Sequence, residues 1–423
     1  GNTDEYAYDS QGNLVSHIDP KGVVTFNEYD VLCRKLKVFV DSNADGNMGP
    51  GEVGRAFAWD DNDRLTSTTD PNTNSTAYSY DSRNRLTSVT QADGTSCSLV
   101  WSPRSNLILQ QDANGTAISN SFDALDRCIR RDITPGPGVA ATTTFEELSY
   151  DGRFRLVRAS NNVSMVQFSY DSMGNCVKQI QDGWQMLAAF DHNNDRVSVT
   201  YPSGGVVAYT YDKLDQVSTA TSLVDGAPPV LVSTFAYDGP GRVGRIARAN
   251  GINTHVTWDG MMSPPNPSGD FGWQQVSVVN HQVSGGGAVI DRRSSTYDRN
   301  QNKTSRSQLV PFSAGGEMTT NVFDYDPLNR VHMAIKTRGT GAQRTINYSL
   351  DGKGNRNTVT INSNGTLQTH FYTRNATLPP GDFQMDQYTG TPFGSQQYDA
   401  NGNVISKVNG DLAFIVDSAN RLV

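Results

Sequence analysis

Cysteine and histidine are scarce in this sequence, and their scatter excludes the chemistry they usually serve. The four cysteines among 423 residues, Cys33, Cys97, Cys128 and Cys176, show no C-x-x-C spacing and no companion histidines, which argues against a zinc site. Cys128 and Cys176 read as small buried hydrophobes rather than disulfide partners. The six histidines, His17, His192, His255, His281, His332 and His370, stand singly, with no i, i+4 pair to hold a metal. No apolar run approaches the roughly 18 residues of a membrane helix, and no stretch of these residues reads as a signal peptide, so any targeting signal is expected elsewhere. A G-x-S-x-G elbow and a P-loop are both missing. The formal charge of -8 is spread along the chain rather than clustered. A phosphate-binding face should be basic, so nucleic acid is excluded as the main partner.

What the chain has in abundance is one short pattern. Tyr80-Asp81-Ser82-Arg83-Asn84-Arg85-Leu86 states it: an aromatic, Asp, two free positions, then Gly, Asn or Asp, then Arg or Asn, then an aliphatic. Asp suits the first position of a type I turn because its carboxylate accepts backbone N–H groups further on, and Gly, Asn and Asp tolerate the left-handed residue that closes the loop. The aromatic or its stand-in recurs at Tyr8, Tyr29, Trp59, Tyr80, Trp101, Phe122, Tyr150, Tyr170, Phe190, Tyr211, Tyr237, Trp258, Tyr297, Tyr325, Leu350, Tyr398 and Val416. Neighbouring copies from Trp59 to Phe122 are 21 residues apart, and those from Tyr150 to Tyr211 are 20 or 21 apart. A period held this long means an array of supersecondary units, none of which can bury a face alone. Some copies are worn: Trp101-Ser102 lacks the Asp, and Trp258-Asp259 lacks the aliphatic partner.

A second kind of turn falls midway between aromatics, as at Asp70-Pro71-Asn72-Thr73, Ala92-Asp93-Gly94-Thr95 and Ala113-Asn114-Gly115-Thr116. The runs between turns, such as Thr76-Ala77-Tyr78-Ser79-Tyr80, alternate with period two. Strand, turn, strand, turn without helical periodicity predicts an all-β fold: tandem hairpins in one long antiparallel sheet. Strand twist accumulates over so many strands, so the sheet must coil, close or stack. No linker divides residues 1–423, which read as a single repeat body.

The copies at Tyr8-Asp9-Ser10-Gln11-Gly12-Asn13-Leu14, at Tyr80 to Leu86 and at Tyr398-Asp399-Ala400-Asn401-Gly402-Asn403-Val404 resemble YD repeats. These are the units of bacterial Rhs proteins, of the shell components of insecticidal Tc toxin complexes and of teneurins. The resemblance covers essentially the whole chain. It implies hairpins spiralling into a hollow β-shell, or an arc of one. In the toxin members such a shell encloses a C-terminal effector; in teneurins it is an extracellular adhesion scaffold. Asp19-Pro20-Lys21-Gly22 has the letters of the DPxG-type segment that closes toxin-bearing shells, but it lies near the start and reads as an ordinary turn. The chain opens inside one repeat and stops after another, so it is expected to be part of a larger protein.

Three irregular spacings mark insertions. The stretches 261–287 and 378–397 are rich in Gly, Pro, Ser or Thr and read as long surface loops, with an excursion into a lumen as the other reading. The third, Asp41-Ser42-Asn43-Ala44-Asp45-Gly46-Asn47-Met48-Gly49-Pro50-Gly51-Glu52, matches a twelve-position calcium loop. Asp41, Asn43 and Asp45 place side-chain oxygens at positions one, three and five. Gly46 allows the sharp turn, Asn47 offers its backbone carbonyl, and Glu52 can bind bidentately. The flank Lys37-Val38-Phe39-Val40 reads as strand rather than helix, so a lone, structural EF-hand-like loop is expected, against a polar hairpin that holds nothing.

These readings predict no enzyme. The acids that a glycosidase would need as a facing pair are mostly first-turn Asp residues of the repeat. Aromatics and Arg or Lys recurring in register could line a face for glycan or extended polypeptide, but packing between adjacent repeats accounts for them first. The expected role is a non-catalytic shell of a secreted or surface-exposed bacterial protein, with an effector domain or neighbouring repeats as partner. The alternative is an extracellular adhesion scaffold for a glycan or a cell-surface protein.

Overall fold

The computed structural model describes residues 3–41, 53–223, 228–259, 275–310, 317–339, 341–374, 385–407 and 412–422. Among them the fold is all-β: thirty-one strands belong to one sheet and four to a second, and every pairing between strands is antiparallel. No helix is long and apolar enough to cross a membrane among the described residues.

The repeat pattern and the strand boundaries coincide. The strands Glu5–Tyr8, Val24–Tyr29, Val53–Trp59, Ser75–Tyr80, Ser96–Trp101 and Ala117–Phe122 each end on the aromatic. Their partners Leu14–Ile18, Lys35–Asp41, Leu65–Thr69, Leu86–Thr90, Leu107–Gln111 and Cys128–Thr134 each begin at the slot after the turn. Tyr80 lies opposite Leu86 while Ser79 lies opposite Ser88, so one extra residue is taken up as a bulge. The same shift follows Tyr29, Trp59, Tyr170, Phe190, Tyr211, Tyr237 and Tyr297. A type I turn closed by a left-handed residue and a bulge joins strands without splaying them.

The chain folds as two compact units. One comprises Gly1–Glu146, Asp324–Ala334 and Arg344–Val423; the other comprises Glu147–Phe323 and Ile335–Gln343. In the first, Phe39 is buried against Phe26, ring centroids 5.4 Å apart. In the second, Val199, Ala220 and Tyr297 are buried. Few apolar side chains reach full burial because a single sheet layer covers its apolar face chiefly by lateral contact between repeats. Along Ser75–Tyr80 and Ser96–Trp101, Thr76, Tyr78, Tyr80, Cys97, Leu99 and Trp101 are half-buried, and the serines, Ala77 and Val100 between them are exposed, the period-two alternation of a sheet with one covered and one solvated face.

Two stretches expected as loops are partly strand. Within 261–287, residues Val276–Val283 pair with both neighbouring strands, because Val276, Val278 and the residues around them alternate as strand residues do. Within 378–397, Gly390–Thr391 and Gly394–Tyr398 form a tight hairpin in the second sheet. Residues 260–274 and 375–384 lie outside the described residues. The pairing of Trp258 with Val276 supplies the aliphatic partner that the sequence around Trp258-Asp259 lacks, on the far side of the excursion.

Candidate functional site

The conspicuous site of this molecule is the repeat turn, repeated in register. In the Asp81 turn the backbone N–H of Asp81 donates to Arg85 O (2.9 Å) and that of Asn84 to Asp81 O (3.1 Å). Asp81 Oδ1 accepts the N–H groups of Arg83 and Arg85, and Asp81 Oδ2 accepts Arg85 Nε at 2.7 Å. Asn84 has φ of 61°, the left-handed region that Asn tolerates. The hydrogen bond from the Arg85 side chain, the turn N–H groups and the Arg85 charge hold Asp81 at a pKa of about 2. Asp30, Asp60, Asp123 and Asp151 repeat the geometry with Arg34, Arg64, Arg127 and Arg155. Trp101-Ser102 works without Asp, because Ser102 Oγ accepts the Asn106 N–H at 3.1 Å.

Where the arginine and a polar-tipped aromatic are present, a turn is joined to its neighbours on both sides. The arginine reaches forward: Arg34, Arg85 and Arg330 Nη1 donate to the backbone carbonyls of Asp60, Ser102 and Asp351, each at 2.7 Å. The aromatic reaches back. Tyr80 Oη donates to Leu65 O (3.0 Å), Trp101 Nε1 to Leu86 O (2.7 Å), Tyr170 Oη to Leu156 O (2.8 Å) and Tyr297 Oη to Val276 O (2.8 Å). The preference for Tyr and Trp follows from this, since each joins an apolar body to a polar tip. Phe122 has no such tip, and Asn120 takes over, its Nδ2 donating to Leu107 O at 2.9 Å. Arginines also stack on the next aromatic, Arg155 over Tyr170 at 4.7 Å and Arg64 over Tyr80 at 5.4 Å. The in-register aromatics and cations are thus inter-repeat packing, as expected.

Within the first unit, turns far apart in sequence also meet. Asn72 Nδ2 donates to Asp351 Oδ2 at 2.9 Å while Lys353 Nζ lies 3.0 Å from Asp70 Oδ2, so each turn's third residue bonds the other turn's Asp. A Cβ on Gly352 would stand 2.9 Å from Pro71 Cβ, so only glycine lets these turns touch so closely. Arg374, nearly buried, pairs with Asp351. Burial pushes the Asp351 carboxyl up, but the bonds from Arg374, Asn355 and Asn72 outweigh it and leave the pKa at about 2. A second clasp joins Asp112-Ala113-Asn114-Gly115 to Asp399-Ala400-Asn401-Gly402. Asn114 Nδ2 donates to Asp399 Oδ2 (2.9 Å) and Asn401 Nδ2 to Asp112 Oδ2 (2.7 Å).

The RHS Repeat family pattern matches residues 59–96 and 190–228, one stretch in each unit. Those two stretches are RHS repeats. Among solved structures, the fold is similar to a Photorhabdus luminescens Tc holotoxin pore bearing a TccC3 mutation, with TM-score 0.76 and 14% identity over 99% of this chain and 24% of that one. It is similar also to TcdB2-TccC3-Cdc42 (TM-score 0.74, 13% identity, 99% and 26% covered) and to TcdB2-TccC3 (0.74, 14%, 99% and 26%). The chain therefore spans about a quarter of the length of those chains. No curated protein matches.

The described residues hold no group of three or more His, Cys, Asp or Glu that could bind a metal. Of the expected calcium ligands only Asp41 is described; it ends the strand Lys35–Asp41, buried and opposite Val24. Asn43, Asp45, Asn47 and Glu52 lie outside the described residues. Their insertion leaves the RHS ladder unbroken, since Arg34 still reaches Asp60 O and Trp59 Nε1 still donates to Lys35 O at 2.8 Å. Asp19-Pro20-Lys21-Gly22 is an ordinary turn, with Gly22 N–H donating to Asp19 O at 2.8 Å. Sequence reasoning missed the clasps. The signal was present in the repeated tetrapeptide Asp-Ala-Asn-Gly at 112–115 and 399–402.

Proposed function

We propose that this chain is a stretch of a non-catalytic RHS-repeat shell from a secreted or surface-exposed bacterial protein, coiling into a hollow wall that encloses or presents an effector domain. The observation that carries this reading is the fold likeness to Tc toxin structures over 99% of the chain. It is supported by the ladder, in which recurring acids, arginines and aromatics among the described residues join one repeat to the next. Electron cryomicroscopy of the full-length protein tests it. The expected result is a lumen walled by these repeats and occupied by further polypeptide. A solid core, or a glycan or protein partner held only on the outer face, would overturn enclosure in favour of adhesion.

The calcium loop belongs to the same reading, as a clip on an insertion between two strands. Asp41, Asn43, Asp45, Asn47 and Glu52 offer the hard oxygens that calcium requires. At calcium about 100 times its dissociation constant, binding to the folded state alone adds about 2.7 kcal/mol. Thermal unfolding in millimolar calcium is expected to fall several degrees above that in EDTA for the native chain, and to be unaffected in an Asp45→Ala, Glu52→Ala double variant. Coincident curves for the native chain would reduce the twelve residues to a polar hairpin.

A further inference from the structure

The second clasp is self-complementary. Besides the two side-chain bonds, Asn114 N–H donates to Asn401 Oδ1 and Asn401 N–H to Asn114 Oδ1, each at 3.2 Å. Two identical tetrapeptides, 287 residues apart, thus exchange the same two bonds in both directions. Both asparagines precede glycine, the residue whose unhindered nitrogen most readily attacks a neighbouring side-chain amide. In the clasp that attack is blocked from both sides. Each Asn amide nitrogen is bound to the opposite carboxylate, and the attacking nitrogens are tied into their own turns, Gly115 N–H to Asp112 O and Gly402 N–H to Asp399 O, both at 3.0 Å. Two other Asn-Gly pairs among the described residues, Asn250-Gly251 and Asn364-Gly365, sit on exposed turns outside any clasp.

We infer that Asn114 and Asn401 are modification sites gated by the clasp: protected while it is closed, and deamidated once it opens. The glycine nitrogen bonds to the asparagine Cγ, the Cγ–Nδ2 bond breaks, and ammonia leaves with the glycine proton. Water then opens the cyclic imide to aspartate or isoaspartate. Either product replaces an amide donor with a carboxylate facing Asp399 or Asp112, and like charges in that position repel. The clasp therefore cannot re-form, so the first long opening becomes permanent. The sites record whether the first unit has been open.

Peptide mapping by mass spectrometry after prolonged incubation tests this on the intact chain, with and without urea. In native buffer Asn250 and Asn364 are expected to convert, and Asn114 and Asn401 to convert at least about tenfold more slowly, the factor that one charge-assisted hydrogen bond supplies. In urea all four should convert at similar rates. In Asn401→Ala, Asn114 should accelerate to the rate of Asn250 while Asn364 is unchanged, and Asn114→Ala should do the same for Asn401. Native-state conversion of Asn114 and Asn401 as fast as that of Asn250 would overturn the inference whatever the variants do. An unchanged Asn114 rate in Asn401→Ala would overturn the gating by the partner turn.

Discussion

Replacing Arg374 with alanine is expected to lower the stability of the first unit by about 3 kcal/mol, because it leaves Asp351 charged and largely out of water without its partner. Only 4% of the Arg374 side chain and 11% of the Asp351 side chain are exposed. Arg374 Nη2 also bonds Asn357 Oδ1 at 3.0 Å, and its guanidinium lies 6.0 Å from the Tyr388 ring centroid. The loss should appear as a fall of roughly 6–12 °C in the melting midpoint. An Asp351→Asn change made together with Arg374→Ala should recover part of it, since the stranded charge is then removed. A midpoint within a degree of native for Arg374→Ala would show that the pair contributes little to joining the Asp70 and Asp351 turns.

Acid should dismantle the ladder over a narrow range. Asp9, Asp30, Asp60, Asp81, Asp123, Asp151, Asp171, Asp351 and Asp417 all have pKa values lowered by the folded state. For Asp81 the Arg85 side chain is the largest cause; for Asp60 desolvation opposes the shift and the Arg64 bonds and turn N–H groups overcome it. A carboxyl depressed on folding adds stability that is complete above its unfolded pKa of about 3.9 and is lost as pH falls through the folded value. With Asp81 and Asp351 at about 2, the melting midpoint should hold steady from neutrality to about pH 5 and drop steeply between about pH 4 and pH 2. One joint opposes the trend. Asp195 occupies the slot that holds Arg or Asn in other repeats, and desolvation together with Asp215 and Asp191 pushes its pKa up. Protonating it relieves that joint, a single gain against many losses. Circular dichroism melts across this range measure the balance, and a midpoint independent of pH down to about 2 would rule out the carboxylates as what holds the turns.

The turns were legible in the sequence because their chemistry is local. Asp at the head, a left-handed residue three positions on and an aliphatic at the next strand's start need only a few consecutive residues to declare themselves. Phe154, Cys33 and Gln301 show the limit, for all three adopt positive φ without being Gly, Asn or Asp. The hairpin's two strands impose the turn at those places. The backward bond of each aromatic explains the choice of Tyr and Trp, yet the alternation of large and small residues alone would have accepted any hydrophobe. Asn120 standing in for the missing tip of Phe122 could be seen only with Leu107 O in place. The clasps were illegible for a different reason. Asn72 meets Asp351 279 residues on and Asn114 meets Asp399 285 residues on; the repeated Asp-Ala-Asn-Gly marks two like turns, but no short window of sequence says that they touch.

Where a repeat bonds backward through a Tyr or Trp and forward through an arginine, as at Tyr80 and Arg85, the array has a grammar of heads and tails. Whole repeats of that kind present the same two ends. Adding or deleting one complete unit of about twenty residues therefore disturbs only the bonds at the splice, whereas shifting a strand by a single residue turns every side chain on it to the wrong face. Such an array can change its reach in whole steps, and its length is free to vary where its joints are not.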